Sequence, residues 1–115
     1  MQVSKDNLEK ILSQPFLRGR VLTASMDPLI KVGDEIVVDI KSNDLKRFDI
    51  IVFIQDDMLI CHYIWSINKF VRPILIQTRS LLGKKDFPID LEKYIGKVIS
   101  HRLSFVQIIK ILIFK

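Results

Sequence analysis

In the opening stretch, MQVSKDNLEKILSQ, apolar side chains recur at Leu8, Ile11 and Leu12, the spacing of one helix face. Asp6 followed by Glu9 fits a capping box, so the pattern predicts a short amphipathic helix near residues 6–13. Pro15 should end it, because the ring disfavours a helical residue before it. From Gly19 onward the period changes. Short runs rich in Val, Ile and aromatic residues follow at 20–23, 35–40, 49–54, 58–67, 74–78 and 93–99, and these read as strands. Turn-forming stretches lie between them, at Asp27-Pro28, Val32-Gly33-Asp34, Ser42-Asn43-Asp44 and Gly83-Lys84-Lys85-Asp86. The expectation is a mostly β fold, an antiparallel sheet or barrel behind a short N-terminal helix.

No repeat, linker or low-complexity segment divides the 115 residues. A chain of this length ordinarily builds one core, so one domain over 1–115 with a single active site is expected. The final run, 103–115, is strongly apolar but interrupted by Gln107 and Lys110. It is shorter than the roughly 20 residues needed to cross a bilayer, which leaves a core element such as a strand, an interfacial anchor or the stump of a longer segment. Its apolar density and spaced lysines favour association with a membrane surface, a soluble cytoplasmic protein being the alternative. The opening stretch has no apolar h-region and no small-residue cleavage site, so no secretory signal or membrane span is expected there.

Composition narrows the classes. With 49% apolar and 27% charged residues the chain is too hydrophobic for a disordered segment. The net charge of +5 favours acidic partners. The basic residues, however, fall in small scattered clusters, Arg18/Arg20, Lys46/Arg47 and Lys84/Lys85, without the interleaved aromatics of a nucleic-acid surface. No nucleic-acid partner is expected. A single cysteine, Cys61, excludes an internal disulfide and a thiolate metal cluster, and no cofactor or metal is expected.

The informative residues are Thr23-Ala24-Ser25-Met26-Asp27-Pro28, then Val32-Gly33-Asp34 leading into Glu35-Ile36-Val37-Val38. Three further boxes follow in order: Arg47-Phe48-Asp49-Ile50-Ile51-Val52-Phe53, Ile60-Cys61-His62-Tyr63-Ile64 and Tyr94-Ile95-Gly96-Lys97-Val98-Ile99. Together they resemble the type I signal peptidases, in which a Ser-Met-x-Pro motif carries the nucleophile and a Gly-Asp-Ile-Val-Val-Phe box follows. Phe48 stands where that box has glycine. His62 resembles the base of the endoplasmic-reticulum-type branch, where the commoner bacterial branch has lysine. The resemblance implies a signal-peptidase-like core of coiled antiparallel sheets or a partly open barrel, shared with self-cleaving repressors. It also implies a serine endopeptidase that cuts an extended peptide or precursor protein after a small residue.

The chemistry of the residue types agrees. A serine hydroxyl needs a base within hydrogen-bond reach to become a nucleophile, and histidine suits that task at neutral pH. Strand alternation sets His62 on one face with Ile60 and Ile64, and Cys61, Tyr63 and Trp65 on the other. Cys61 then reads as a small core residue and His101, in a polar Ser-His-Arg stretch, as a solvated histidine. The resemblance makes Thr23 a donor to the oxyanion, since family members have a serine there, the alternative being a β-branched residue ending a strand. Family members also have a Lys-Gly-Asp box after the base. This chain has Thr78-Arg79-Ser80-Leu81, with Leu81 at that aspartate's place, and Asp86 is the nearest substitute. The candidate catalytic set is therefore Ser25, His62, Thr23 and Asp86. The rival reading, motivated by Leu81 and Phe48, is a degenerate peptidase fold that binds a peptide or partner subunit. A DNA-binding repressor is not expected, since about 20 residues before the first strand cannot hold a helix-turn-helix domain.

Overall fold

The computed structural model describes residues 4–114, with side chains through 113. The apolar run's Lys115, and Met1, Gln2 and Val3 of the opening stretch, lie outside the described residues. Helix α1 spans Lys5–Leu12, and its N-cap is Ser4, whose side chain accepts from the Asn7 backbone N–H. The expected Asp6–Glu9 capping box is thus replaced by a serine cap two residues earlier. The cause is chemical: a hydroxyl at the N-cap position satisfies one of the free donors of the first turn.

Six strands follow: β1 Phe16–Arg20, β2 Glu35–Ile40, β3 Ile50–Gln55, β4 Met58–Asn68, β5 Leu75–Arg79 and β6 Tyr94–Val98. They form one open antiparallel sheet in the order β1-β2-β6-β3-β4-β5, with no closure into a barrel. The mostly β expectation with its N-terminal helix holds. The first strand differs from the expected 20–23. Phe16 to Arg20 pair with Asp39 to Glu35, and past Arg20 the chain leaves the ladder, so Thr23 ends no strand. Asp56 and Asp57, both at positive φ, make the two-residue turn between β3 and β4, the backbone that matches strand twist.

The sheet is covered on both faces, which explains the unbroken apolar run of β3. Ile50 and Val52 join Met26, Ile36, Val38, Tyr63, Ile95 and Leu103 in one core cluster, against which Leu8 and Ile11 of α1 pack. Ile51 and Phe53 join Ile64, Ile76, Ile89 and Tyr94 in a second cluster on the other face. The final apolar run is helix α2, Phe105–Phe114. The strand reading of that run is wrong. Its Ile108 and Ile111 pack on the first cluster, a helical spacing that successive apolar residues hide in the sequence.

Two of the motif positions acquire a physical cause. A Cβ on Gly96 would stand 2.5 Å from the Asp39 carbonyl oxygen and 2.7 Å from Val38 Cγ1, so β2 and β6 approach too closely there for any side chain. Gly96→Ala is expected to destabilise the fold by about 1–3 kcal/mol through overpacking, read as a lowered melting temperature. An unchanged melt would show that the strands can part at no cost. Phe48 lies at φ 74°, the left-handed backbone that glycine adopts freely. Its ring packs on Tyr63 and Trp65, with centroids at 6.3 and 6.4 Å, contacts that offset the strained backbone.

Candidate functional site

The connection between β1 and β2 carries Ser25. It is pinned at both ends, by Val21 N–H to the Asp34 carbonyl at 3.0 Å and by Gly33 N–H to the Val21 carbonyl at 2.8 Å. Met26 and Ile30 plug the first core cluster, and Asp27 N–H donates to the Ala24 carbonyl at 3.0 Å. Ser25 is thus held on a turn whose next residue is buried. Leu81 N–H donates to the Ser25 carbonyl at 2.9 Å, tying this turn to the loop after β5. Leu81, the departure from the Lys-Gly-Asp pattern, packs against the first cluster as an apolar anchor.

His62 is positioned by β4, opposite Ile51 of β3. The alternation expected for β4 is observed: Ile60 and Ile64 join the second cluster, while Cys61, Tyr63 and Trp65 join the first. The His62 ring meets Phe53 edge-on at 6.1 Å between centroids. Cys61 is half-buried, and burial pushes its thiol up to about 12. A thiol so raised stays protonated and is a poor nucleophile at neutral pH. His101 is partly exposed and lies within 2.8 Å of the Ser100 hydroxyl.

Asp86 reaches His62. After β5 the chain turns tightly through Ser80 and Gly83 and comes back along the strand, Ser80 N–H bonding the Lys84 carbonyl and Asp86 N–H the Thr78 carbonyl at 3.0 and 3.1 Å. This return puts Asp86 Oδ2 2.5 Å from His62 Nδ1, with side chains 5% and 7% exposed. Thr78 Oγ1–H donates to the same oxygen at 2.7 Å, and Gln77 Nε2 donates to the Asp86 backbone carbonyl. Burial alone pushes the Asp86 carboxyl upward. Hydrogen bonds from His62 and Thr78, with the charges of His62 and Lys84, outweigh it and hold the group below its ordinary value. An ionised Asp86 fixes the proton on Nδ1 and leaves Nε2 as the basic nitrogen.

Ser25 and His62 line one cleft of about 410 Å³, together with Thr23, Ser80 and the first residues of β4. It opens where the β4–β5 ladder, which begins at Tyr63 and Arg79, has ended, so groups from both faces of the sheet reach it. The Ser25 hydroxyl lies 3.2 Å from Thr23 Oγ1, and no hydrogen bond joins it to His62 among the described residues. A nucleophile and its base are commonly loose in the absence of substrate and tighten on binding. Three of the four sequence candidates, Ser25, His62 and Thr23, therefore line one cleft, and the fourth, Asp86, is joined to it through its pair with His62.

Sequence reasoning missed Thr78 and Gln77, the residues that seat Asp86. Strand alternation alone could not find them, because the β4–β5 register shifts between Ile64 and Ser66. No protein-family model, curated protein or solved structure matches the chain. Among the described residues no cluster of His, Cys, Asp and Glu could hold a metal ion.

Proposed function

We propose that the protein is a serine endopeptidase of the signal-peptidase type, acting through Ser25, His62 and Asp86. The observation that carries this reading is the buried His62–Asp86 pair at 2.5 Å, opening on the cleft that Ser25 lines. A buried Nδ1–carboxylate pair has a direct chemical consequence: it presents Nε2 unprotonated and stabilises the imidazolium once a proton arrives.

The reaction follows from those roles. Ser25 Oγ attacks the scissile carbonyl carbon while its proton passes to His62 Nε2. The negative charge moves to the carbonyl oxygen, where the Ser25 backbone N–H and the Thr23 hydroxyl are the donors, each worth about 3–4 kcal/mol if well aimed. The C–N bond then breaks as His62 returns the proton to the departing amine, leaving a Ser25 ester. A water, deprotonated by His62, hydrolyses that ester and restores the serine. Arg20, Val21 and Leu22 on one side and the start of β4 on the other wall the cleft, a shape suited to an extended peptide lying as an added strand. Cleavage after a small residue is part of the same reading and rests on the motif resemblance.

Labelling with a serine-directed fluorophosphonate or a penem tests the reading. The parent chain is expected to gain the mass of one adduct, carried by the peptide containing Ser25, and Ser25→Ala to gain none. A binding module without catalysis is favoured by the Ser25 hydroxyl facing Thr23 and by Leu81 in an acidic position. It predicts no adduct, with peptide affinity surviving changes at both Ser25 and His62.

A further inference from the structure

Arg79, the last residue of β5, is only 8% exposed. Its guanidinium carbon stands 3.8 Å from the centre of the Trp65 ring. Burial raises the Tyr63 phenol above its ordinary value, while the charge of Arg79 and a hydrogen bond with it pull the other way. Among the described residues Arg79 Nε has no hydrogen-bond partner, and no ion pair includes this side chain. A guanidinium does not shed its proton. The site thus holds a permanent buried charge with no counter-charge among the described residues, whereas buried charges are ordinarily paired.

A second cleft of about 350 Å³ lies against this side chain and shares Ser80 with the cleft that Ser25 lines. Gln107 and Lys110 of α2 line it with Arg79, Tyr63 and Ser80, and among the described residues no carboxylate does. The same helix carries an apolar stripe turned to solvent: Phe105, Val106, Ile109, Leu112 and Ile113 are all exposed. Their spacing groups them on the side of α2 away from Ile108 and Ile111, which face the core. No helix of the described residues is long and apolar enough to cross a membrane. A ten-residue helix with such a stripe is of the kind that lies in a membrane interface, and the net charge of +5 draws the chain to an anionic one.

We propose that the cleft between α2 and the end of β5 binds the phosphate headgroup of an anionic phospholipid, with Arg79 and Lys110 as its cationic ligands and α2 lying in the interface. The flat guanidinium fork matches phosphate oxygens two at a time. Lys110 sits at the edge of the apolar stripe, where its stem can lie along lipid while the ammonium reaches the headgroup. Ser80 lines both clefts, so a bound headgroup sets the Ser25 cleft beside the bilayer surface. The proposal does not depend on catalysis and stands or falls on binding alone.

Trp65 is the chain's only tryptophan, and its contact with Arg79 makes its emission a reporter of the site. Phosphatidylglycerol vesicles at low salt are expected to change that emission and to co-sediment the protein, with phosphatidylcholine vesicles doing neither. Lys110→Gln, an exposed change that should leave the melt unaltered, is expected to raise the lipid concentration at half-binding roughly fivefold or more. Arg79→Lys, which keeps the charge and loses the fork, should do the same. Three outcomes overturn the proposal: no binding to either vesicle, equal binding to both, or both variants binding as the parent does. A fourth would reassign the site to a soluble anion: inorganic phosphate alone saturating the Trp65 signal, with vesicles adding nothing.

Discussion

Replacing Ser25 by Ala is expected to abolish adduct formation with a serine-directed reagent and to lower peptide cleavage by roughly 10⁶-fold. His62→Ala should cost about as much, and the double variant should be little worse than either, because a nucleophile and its base act as one unit. The structure makes the serine change clean. Among the described residues the Ser25 side chain bonds to Thr23 alone, and its turn is held by buried Met26 and by the Leu81 N–H on the Ser25 carbonyl. Ser25→Ala should therefore melt as the parent does. The histidine change is less clean, since removing the ring strips Asp86 of its partner and opens a gap beside Phe53. His62→Gln, similar in reach and unable to act as a base, separates lost chemistry from lost stability. If the Ser25 and His62 effects multiplied in the double variant, the two residues would not be working on the same proton. If Ser25→Ala cleaved a peptide as fast as the parent, the peptidase reading would be wrong.

The parts of the fold visible in the sequence are those in which local pattern and tertiary burial agree. β2, β3, β4, β5 and β6 are apolar runs bounded by turn residues, and each lies within a residue or two of its expected place. β1 was hidden because its residues, Phe-Leu-Arg-Gly-Arg, include a glycine and no β-branched side chain, and are held by pairing with β2. The β-branched residues after it, Val21 and Thr23, belong to the loop that carries Ser25. α2 was obscured for another reason: a helix apolar on both its buried and exposed sides shows no period. The site divides in the same way. Ser25 and His62 announce themselves by residue type and motif, and Asp86 by its place in the turn after the absent acidic box. Thr78 and Gln77, which seat the carboxylate, become visible only once the loop 80–85 is seen to fold back on β5. Arg79 looked like an ordinary basic residue in a strand. What marks it is its burial against Trp65 without a carboxylate, a property of packing that no sequence pattern records.

Asp86→Asn is expected to lower cleavage by roughly 10³- to 10⁴-fold while leaving Ser25 in place, because an amide no longer holds the imidazole in the tautomer whose Nε2 accepts a proton. The amide can offer its own N–H to Nδ1, which then drives the ring proton to Nε2, the wrong nitrogen for a base. Stability should fall as well. The parent carboxylate accepts from His62 and Thr78 inside the protein, and a hydrogen bond to a buried charge contributes about 1.5–3 kcal/mol. The sign of the pH dependence follows from the direction of the shift. Burial works to raise Asp86, yet the His62 and Thr78 hydrogen bonds prevail and the folded-state value lies below the ordinary one. A group depressed in this way adds stability that is fully present above the unfolded carboxylate value of about 3.9 and is lost as the pH falls through the folded value. The melting gap between the parent and Asp86→Asn should therefore be widest at neutral pH and close progressively below about pH 4. Thermal melts from pH 7 down to pH 3 measure it directly. A gap that stayed constant over that range would mean that the charge on Asp86 contributes nothing to the fold. An Asp86→Asn variant cleaving at the parent rate would remove the carboxylate from the mechanism, leaving Ser25 and His62 as a dyad.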